Sequence, residues 1–147
     1  GPHAQTVAAW FSVGPLQALA IDGAVSAASS LKMAYAAYTK GSSALLLAVN
    51  ALAEHAGVRE ILQREWDISQ PGLTLRSERA ASGTSRKAWR FVGEMEEIAV
   101  TFAGADLPEG FHEAAAIVYE RLAGLKNLPP AELSVVLAEL LGDGPST

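Results

Sequence analysis

The stretch that decides the fold is residues 23–53, GAVSAASSLKMAYAAYTKGSSALLLAVNALA. It contains no acidic residue, and its only charged side chains are Lys32 and Lys40. Alanine, serine and leucine dominate it, and their intrinsic preferences favour a helix over a strand. The stretch therefore predicts a helix of about thirty residues that ends near Gly57, because glycine is common just past helix C-termini. Since the helix is apolar on nearly all sides, we expect burial on nearly all sides.

Shorter helices follow the long one. Hydrophobic periodicity, together with proline and glycine at the breaks, predicts helices over 58–68, 73–81, 85–102, 107–122 and 131–141. The chain as a whole is therefore predicted to be all-α, a bundle of helices around one long central helix.

The residues before Gly23 have a different pattern. A short helix is predicted over 3–11, a break at Gly14-Pro15, and a buried strand over 16–21, LQALAI. One strand cannot form a sheet, so residues 1–22 are predicted to be the remnant of an upstream α/β domain. The chain also begins Gly1-Pro2-His3 without an initiator methionine, and we expect part of the protein to precede it.

Composition excludes several classes of function. The net charge of −5, without a basic stripe, argues against a nucleic-acid partner. No apolar run of membrane-spanning length and no signal peptide are visible, so we expect no membrane association and a cytoplasmic location. There is no cysteine, and the three histidines are widely separated, so no metal site is predicted.

Lys32 is the best candidate for chemistry. No carboxylate lies within helical reach of it, and it belongs to a polar stripe on the predicted long helix that comprises Ser29, Lys32, Ala36, Thr39 and Ser43, with Tyr35 and Lys40 at its edges. Burial would lower the pKa of such a lysine and let it act as a general acid. It could equally bind an anion, or extend from the helix edge into solvent as an ordinary surface lysine.

Four segments carry a resemblance to a known family: SSLKMAYAAYTKGSSALLLA, REWDISQPGL, RKAWRFVGEMEEIA and LPEGFHEAAA. They contribute 54 residues, and the resemblance they carry extends over residues 15–122. They resemble the helical C-terminal domain of the 6-phosphogluconate dehydrogenase and β-hydroxyacid dehydrogenase superfamily, and most closely the C-terminal domain family of NAD-binding phosphogluconate dehydrogenases. The spacing from Gly23 to Lys32, and the pair Lys32-Met33, are similar to the catalytic-lysine helix of that superfamily.

The resemblance implies a function. Residues 1–22 would be the remnant of a nucleotide-binding domain, and residues 23–147 would be a helical domain that binds a small-molecule substrate and forms a homodimer. NAD or NADP would be held mainly by a domain absent from this chain, which contains no G-x-G-x-x-G after a strand, so the chain alone should be inactive. The implied site residues are Lys32 as the catalytic group, Glu97 near the cofactor, and Ser29, Tyr35, Thr39, Arg90 and His112 near the substrate.

The sequence also departs from the family pattern, and alternatives follow. Ala36 stands where the superfamily usually has an asparagine, and Glu96-Glu97 stands where many members have a Lys-Asp pair. Arg90, Glu94 and Glu97 would equally form a solvated salt-bridge ladder along one helix face, and His112 an ordinary surface or interface residue. The alternative function is a non-catalytic helical module for oligomerisation or ligand binding.

Overall fold

The computed structural model describes residues 1–144, and this part of the chain is helical without any strand. The α-helices are α1 (Ala4–Trp10), α2 (Ala27–His55), α3 (Arg59–Ser69), α4 (Leu73–Thr84), α5 (Ala88–Ala103), α6 (Gly110–Arg121) and α7 (Leu133–Leu141), with short 3₁₀ helices at Ser85–Lys87 and Ala123–Asn127. The predicted all-α class is confirmed. None of the helices in the described range is both long and apolar enough to cross a membrane.

The chain divides into two compact units, Gly1–Tyr35 and Ala36–Thr147. The first unit holds α1, an irregular segment and the first turns of α2. The second unit holds the remainder of α2 and the helices that follow it. The predicted domain boundary between residues 22 and 23 stays a prediction.

The strand predicted at residues 16–21 is wrong. This segment has no regular secondary structure, and Leu16 and Leu19 are exposed. A strand needs backbone partners on a neighbouring strand, and residues 1–144 supply none. The short helix predicted before it is confirmed as α1.

The long helix predicted from residues 23–53 is confirmed as α2, and so is its end near Gly57. Gly57 has a φ of 68°, which is the left-handed conformation that glycine adopts without steric cost. Its N–H donates to the Glu54 carbonyl at 2.9 Å, and the Val58 N–H donates to the Ala53 carbonyl at 2.9 Å. These two bonds form a Schellman cap, which satisfies carbonyls that the end of the helix would leave without partners.

The expectation that this helix is buried on nearly all sides is wrong for its first turns, where residues 28–32, 34 and 35 are exposed, but it holds for most of residues 36–53, where only Tyr38, Leu45 and Leu52 are exposed. The buried positions of α2 are mainly small residues, Ala37, Gly41, Ala44, Ala51 and Ala53, together with Leu47 and Asn50. Small side chains allow the neighbouring helices to approach closely. The exposed stripe within residues 36–53 carries the large apolar side chains of Tyr38, Leu45 and Leu52.

The shorter helices fall close to their predicted positions, with one informative difference. The helix predicted over 85–102 begins only at Ala88, because Ser85–Lys87 forms a 3₁₀ turn. Ser85 is fully buried, and its hydroxyl oxygen accepts a hydrogen bond from the Ala131 N–H at 3.1 Å. The core lies where α5 packs along α6, with Met95, Ile98 and Tyr119 fully buried and Val136 and Leu137 of α7 beside them.

Two helical glycines offer a matched test of how tightly α2 is packed. A Cβ on Gly41 would lie 3.3 Å from Phe111 Cε1 and 3.7 Å from His112 Nε2, whereas a Cβ on Gly83 would meet nothing within 4 Å. We expect Gly41→Leu to lower the free energy of unfolding by about 1–3 kcal/mol through overpacking. Gly83→Leu should leave it unchanged or raise it by up to about 1 kcal/mol through better helix propensity. Urea denaturation followed by circular dichroism measures both, and equal effects would contradict the close approach at Gly41.

Candidate functional site

Lys32 lies on the first turns of α2, in the first unit. Ser29 lies one turn before it and Tyr35 nearly one turn after it. All three residues are exposed, so the predicted desolvation of Lys32 is wrong for the single chain. The reason is that the buried face of α2 begins only at Ala37. The Lys32 ammonium group is therefore available to a ligand or to another protein surface.

The second unit contains a cleft of about 350 Å³ between α2 and α4. The α2 side of the cleft includes Thr39 and Ser43, and the Ser43 hydroxyl donates to the Thr39 carbonyl at 2.9 Å. Phe91 of α5 and Tyr119 of α6 also line the cleft. Of the residues predicted to bind substrate, Thr39 is the one that the structure places in this cleft.

Lys40 also lines the cleft, and it is held by several contacts. Its ammonium group forms an ion pair with the Glu94 carboxylate of α5 and lies 4.8 Å from the centre of the Phe91 ring. The Tyr119 hydroxyl donates to the Lys40 carbonyl at 2.7 Å. Burial raises the pKa of that hydroxyl well above its ordinary value, so Tyr119 remains a neutral donor. These contacts join α2, α5 and α6 at the base of the cleft.

Arg76 and Arg79 line the cleft from α4, and sequence reasoning did not select them. They are three residues apart, so they share a helix face with Ala80, Gly83 and Thr84. That face could have been identified from the spacing within the predicted helix at 73–81. This face of α4 is turned toward the polar side of α2. That orientation depends on the angle at which the two helices cross, which the local sequence does not specify.

Arg90 and Glu97 are exposed on α5, and neither lines the cleft. The alternative interpretation joined them with Glu94 in a ladder along one helix. In the structure Glu94 instead pairs with Lys40 across to α2. Among residues 1–144, Arg90 and Glu97 form no ion pair. Their predicted contacts with substrate and cofactor stay predictions.

His112 is buried, with only 5% of its surface exposed, so its interpretation as a surface residue is wrong. Its ring centre lies 4.3 Å from that of Phe102 and 5.4 Å from that of Phe111. Its Nδ1 atom has no hydrogen-bond partner among the described residues. Burial lowers the pKa of the imidazole below its ordinary 6.5, while a hydrogen bond with the Ala37 backbone acts in the opposite direction. His112 therefore packs α6 against α2 as a neutral ring.

Comparison with protein families finds one similarity. Residues 53–122 match a family model described as a domain of unknown function, DUF1932. The match extends from the end of α2 to the end of α6, so it includes Arg76, Arg79 and Tyr119 of the cleft. Neither the curated proteins nor the solved structures yield a match to this chain.

The buried His112 generates a prediction about pH. Below about pH 6.5 the histidine of the unfolded chain takes up a proton, while the folded imidazole stays neutral until its lowered pKa is reached. The free energy of unfolding should therefore fall as the pH drops from 6.5 toward that lower value. Urea midpoints at pH 7.5 and 5.5 measure the fall, and His112→Phe should reduce it. The exposed His55 provides the control, since a pH dependence that His55→Gln reduced equally would contradict the assignment.

Proposed function

We propose that this chain is the helical substrate-binding and dimerisation half of an NAD(P)-dependent oxidoreductase of the hydroxyacid or phosphogluconate dehydrogenase type. The observation that carries the proposal is the match of residues 53–122 to DUF1932. That domain is known as the C-terminal helical domain of NAD-binding 6-phosphogluconate dehydrogenase-like proteins. The match begins at residue 53, near the end of the same helix whose first turns resemble the catalytic-lysine helix of that superfamily.

The cofactor would supply or accept a hydride at the carbon that carries the reacting oxygen. The residues of this chain do not fit the dinucleotide, because the described part has no strand that leads through a glycine-rich turn into a helix. A nucleotide-binding half would have to hold it. The task left to this chain is to position the substrate and to move a proton.

Lys32 is the group proposed to move that proton. Its ammonium can donate one proton to the oxygen of a carbonyl that is being reduced, and the resulting amine can take the proton back in the reverse reaction. Ser29 and Tyr35 place hydroxyl groups within about one helical turn of it, where they can bind substrate hydroxyls. Lys32 is exposed in the single chain, so a complete site requires a second wall that excludes water. The nucleotide-binding half or a second copy of the helical domain would provide that wall.

A specific observation favours the second candidate function, a helical oligomerisation module. Four large apolar residues recur every seven positions on α2, namely Leu31, Tyr38, Leu45 and Leu52, and each is between 50% and 68% exposed. A seven-residue apolar repeat is typical of a helix that packs along another helix. Complete burial of such side chains contributes about 1.5–3 kcal/mol each. A homodimer is compatible with both candidate functions, so only a measurement of catalytic activity distinguishes them.

The catalytic role of Lys32 predicts the effect of Lys32→Ala in the full-length protein that contains the proposed nucleotide-binding half. Loss of general acid catalysis should lower turnover by about 10²–10⁴-fold, measured as the change in nicotinamide absorbance. The mass measured by light scattering should not change. Lys87→Ala, at another exposed lysine, is the matched control and should retain full turnover. Unchanged turnover in Lys32→Ala would exclude catalysis by Lys32 and favour the oligomerisation module.

The apolar face of α2 predicts a self-association that charge would disrupt. We expect this chain to sediment as a dimer, and Leu45→Glu combined with Leu52→Glu to shift it to a monomer, because two carboxylates cannot be buried against a second copy without a large desolvation cost. Ile68→Glu on α3, where Ile68 is 80% exposed, is the control and should leave the dimer intact. A monomeric unsubstituted chain, or a dimer that survives both glutamates, would contradict this interface.

A further inference from the structure

The cleft between α2 and α4 is positively charged in an acidic protein. The chain carries 16 acidic and 11 basic residues, yet the cleft is lined by Lys40, Arg76 and Arg79 and by no carboxylate. Glu94 of α5 pairs with Lys40. Two positive charges on α4 are therefore left without a neutralising group in the cleft itself.

Some arginines in residues 1–144 have partners, whereas Arg76 and Arg79, like Arg86 and Arg90, have none; of these four, Arg76 and Arg79 are the ones that line the cleft. Arg59 pairs with Glu54 at 2.5 Å, and Arg121 donates to the Leu140 carbonyl at 3.1 Å. The side chains of Arg76 and Arg79 make neither an ion pair nor a hydrogen bond within residues 1–144. Each guanidinium offers a planar array of donors that matches the geometry of a carboxylate or phosphate.

We propose that this cleft binds the oxyanion of a small molecule, either a phosphate or a carboxylate, with Arg76 and Arg79 as the recognising groups. Because the two arginines lie three residues apart on α4, their side chains project from one helix face and can converge on a single oxyanion. The cleft has a volume of about 350 Å³, which is near the lower end of the range for small-molecule pockets. A small molecule fits this volume.

The other residues that line the cleft indicate how the rest of the ligand would be held. The Thr84 hydroxyl donates to the Ala80 carbonyl at 2.6 Å, and the Ser43 hydroxyl donates to the Thr39 carbonyl. Both oxygens therefore keep lone pairs that can accept hydrogen bonds from an occupant. Phe91 and Leu46 supply apolar surface. An oxyanion at the arginines and hydroxyl donors elsewhere on the ligand would satisfy this cleft.

The proposal is independent of the reaction assigned to Lys32. Every lining residue of the cleft belongs to the second unit, and binding can be measured without turnover. A failure of Lys32→Ala to affect catalysis would leave oxyanion binding intact, and a cleft that binds no oxyanion would leave the catalytic proposal intact.

Two probes at constant ionic strength test the proposal, inorganic phosphate and acetate, each titrated into the full chain and followed by amide chemical shifts. We expect at least one probe to bind saturably and to shift resonances of α2 and α4. Arg76→Gln and Arg79→Gln should each weaken that binding by about tenfold or more, since each removes charged hydrogen bonds. Saturation by phosphate alone, or by acetate alone, identifies which oxyanion the cleft prefers.

Two further variants separate a specific site from general attraction to positive charge. Arg86→Gln removes an exposed arginine outside the cleft and should leave the dissociation constant unchanged. Gly83→Leu fills cleft space that is empty at present and should weaken binding with all arginines in place. Binding that Arg86→Gln weakens as much as Arg76→Gln, or that Gly83→Leu does not affect, would overturn the proposal, as would the absence of saturable binding by both probes.

Discussion

Gly41 of α2 lies close against α6, with the edge of the Phe111 ring 3.3 Å, and the His112 Nε2 atom 3.7 Å, from the position that a Cβ would take. The missing side chain at Gly41 lets the buried His112 ring sit against α2. Because α6 is fixed by this contact, the Tyr119 hydroxyl on the same helix reaches the Lys40 carbonyl. Phe91 of α5 then packs edge to face against Tyr119, with ring centres 5.2 Å apart. The base of the cleft is in this way a consequence of a glycine one residue after Lys40.

The two candidate chemistries occupy different parts of the chain. Lys32 belongs to the first unit and is exposed, whereas the cleft lies wholly in the second unit. Within the second unit, the positively charged side chains differ in how many contacts hold them in place. Lys40 is held by an ion pair and an aromatic ring, and it stabilises the fold, whereas Arg76 and Arg79 are held by neither. Some cationic side chains stabilise the fold and others remain available for a ligand. Only the three-dimensional contacts distinguish the two kinds.

Local sequence signals predicted what local interactions control. Helix propensity and the glycine at position 57 were sufficient for α2 and its cap, and proline and glycine located most of the later helices. The wrong predictions share a cause: the structure at those positions depends on residues that are distant in the sequence. The segment 16–21 has the composition of a strand, but residues 1–144 contain no strand with which it could pair. Ser85 lies in a 3₁₀ turn where a continuous helix was predicted, and its hydroxyl oxygen accepts a hydrogen bond from the Ala131 N–H. Glu94 has Arg90 as a neighbour on the same helix but pairs with Lys40 of α2. The orientation of Arg76 and Arg79 toward α2 likewise could not be predicted from the periodicity of the sequence.

The hydrogen bond from Tyr119 to Lys40 joins residues 79 positions apart, and the bond from Ala131 to Ser85 joins residues 46 apart. Such contacts close long loops, which is slow compared with the formation of single helices. On the ribosome, α2 can form as soon as it emerges, but its contacts with Phe111, His112 and Tyr119 are missing until α6 has been synthesised. For that interval the nascent chain carries a long helix whose apolar side chains are only partly covered, which is the condition under which nascent chains associate incorrectly.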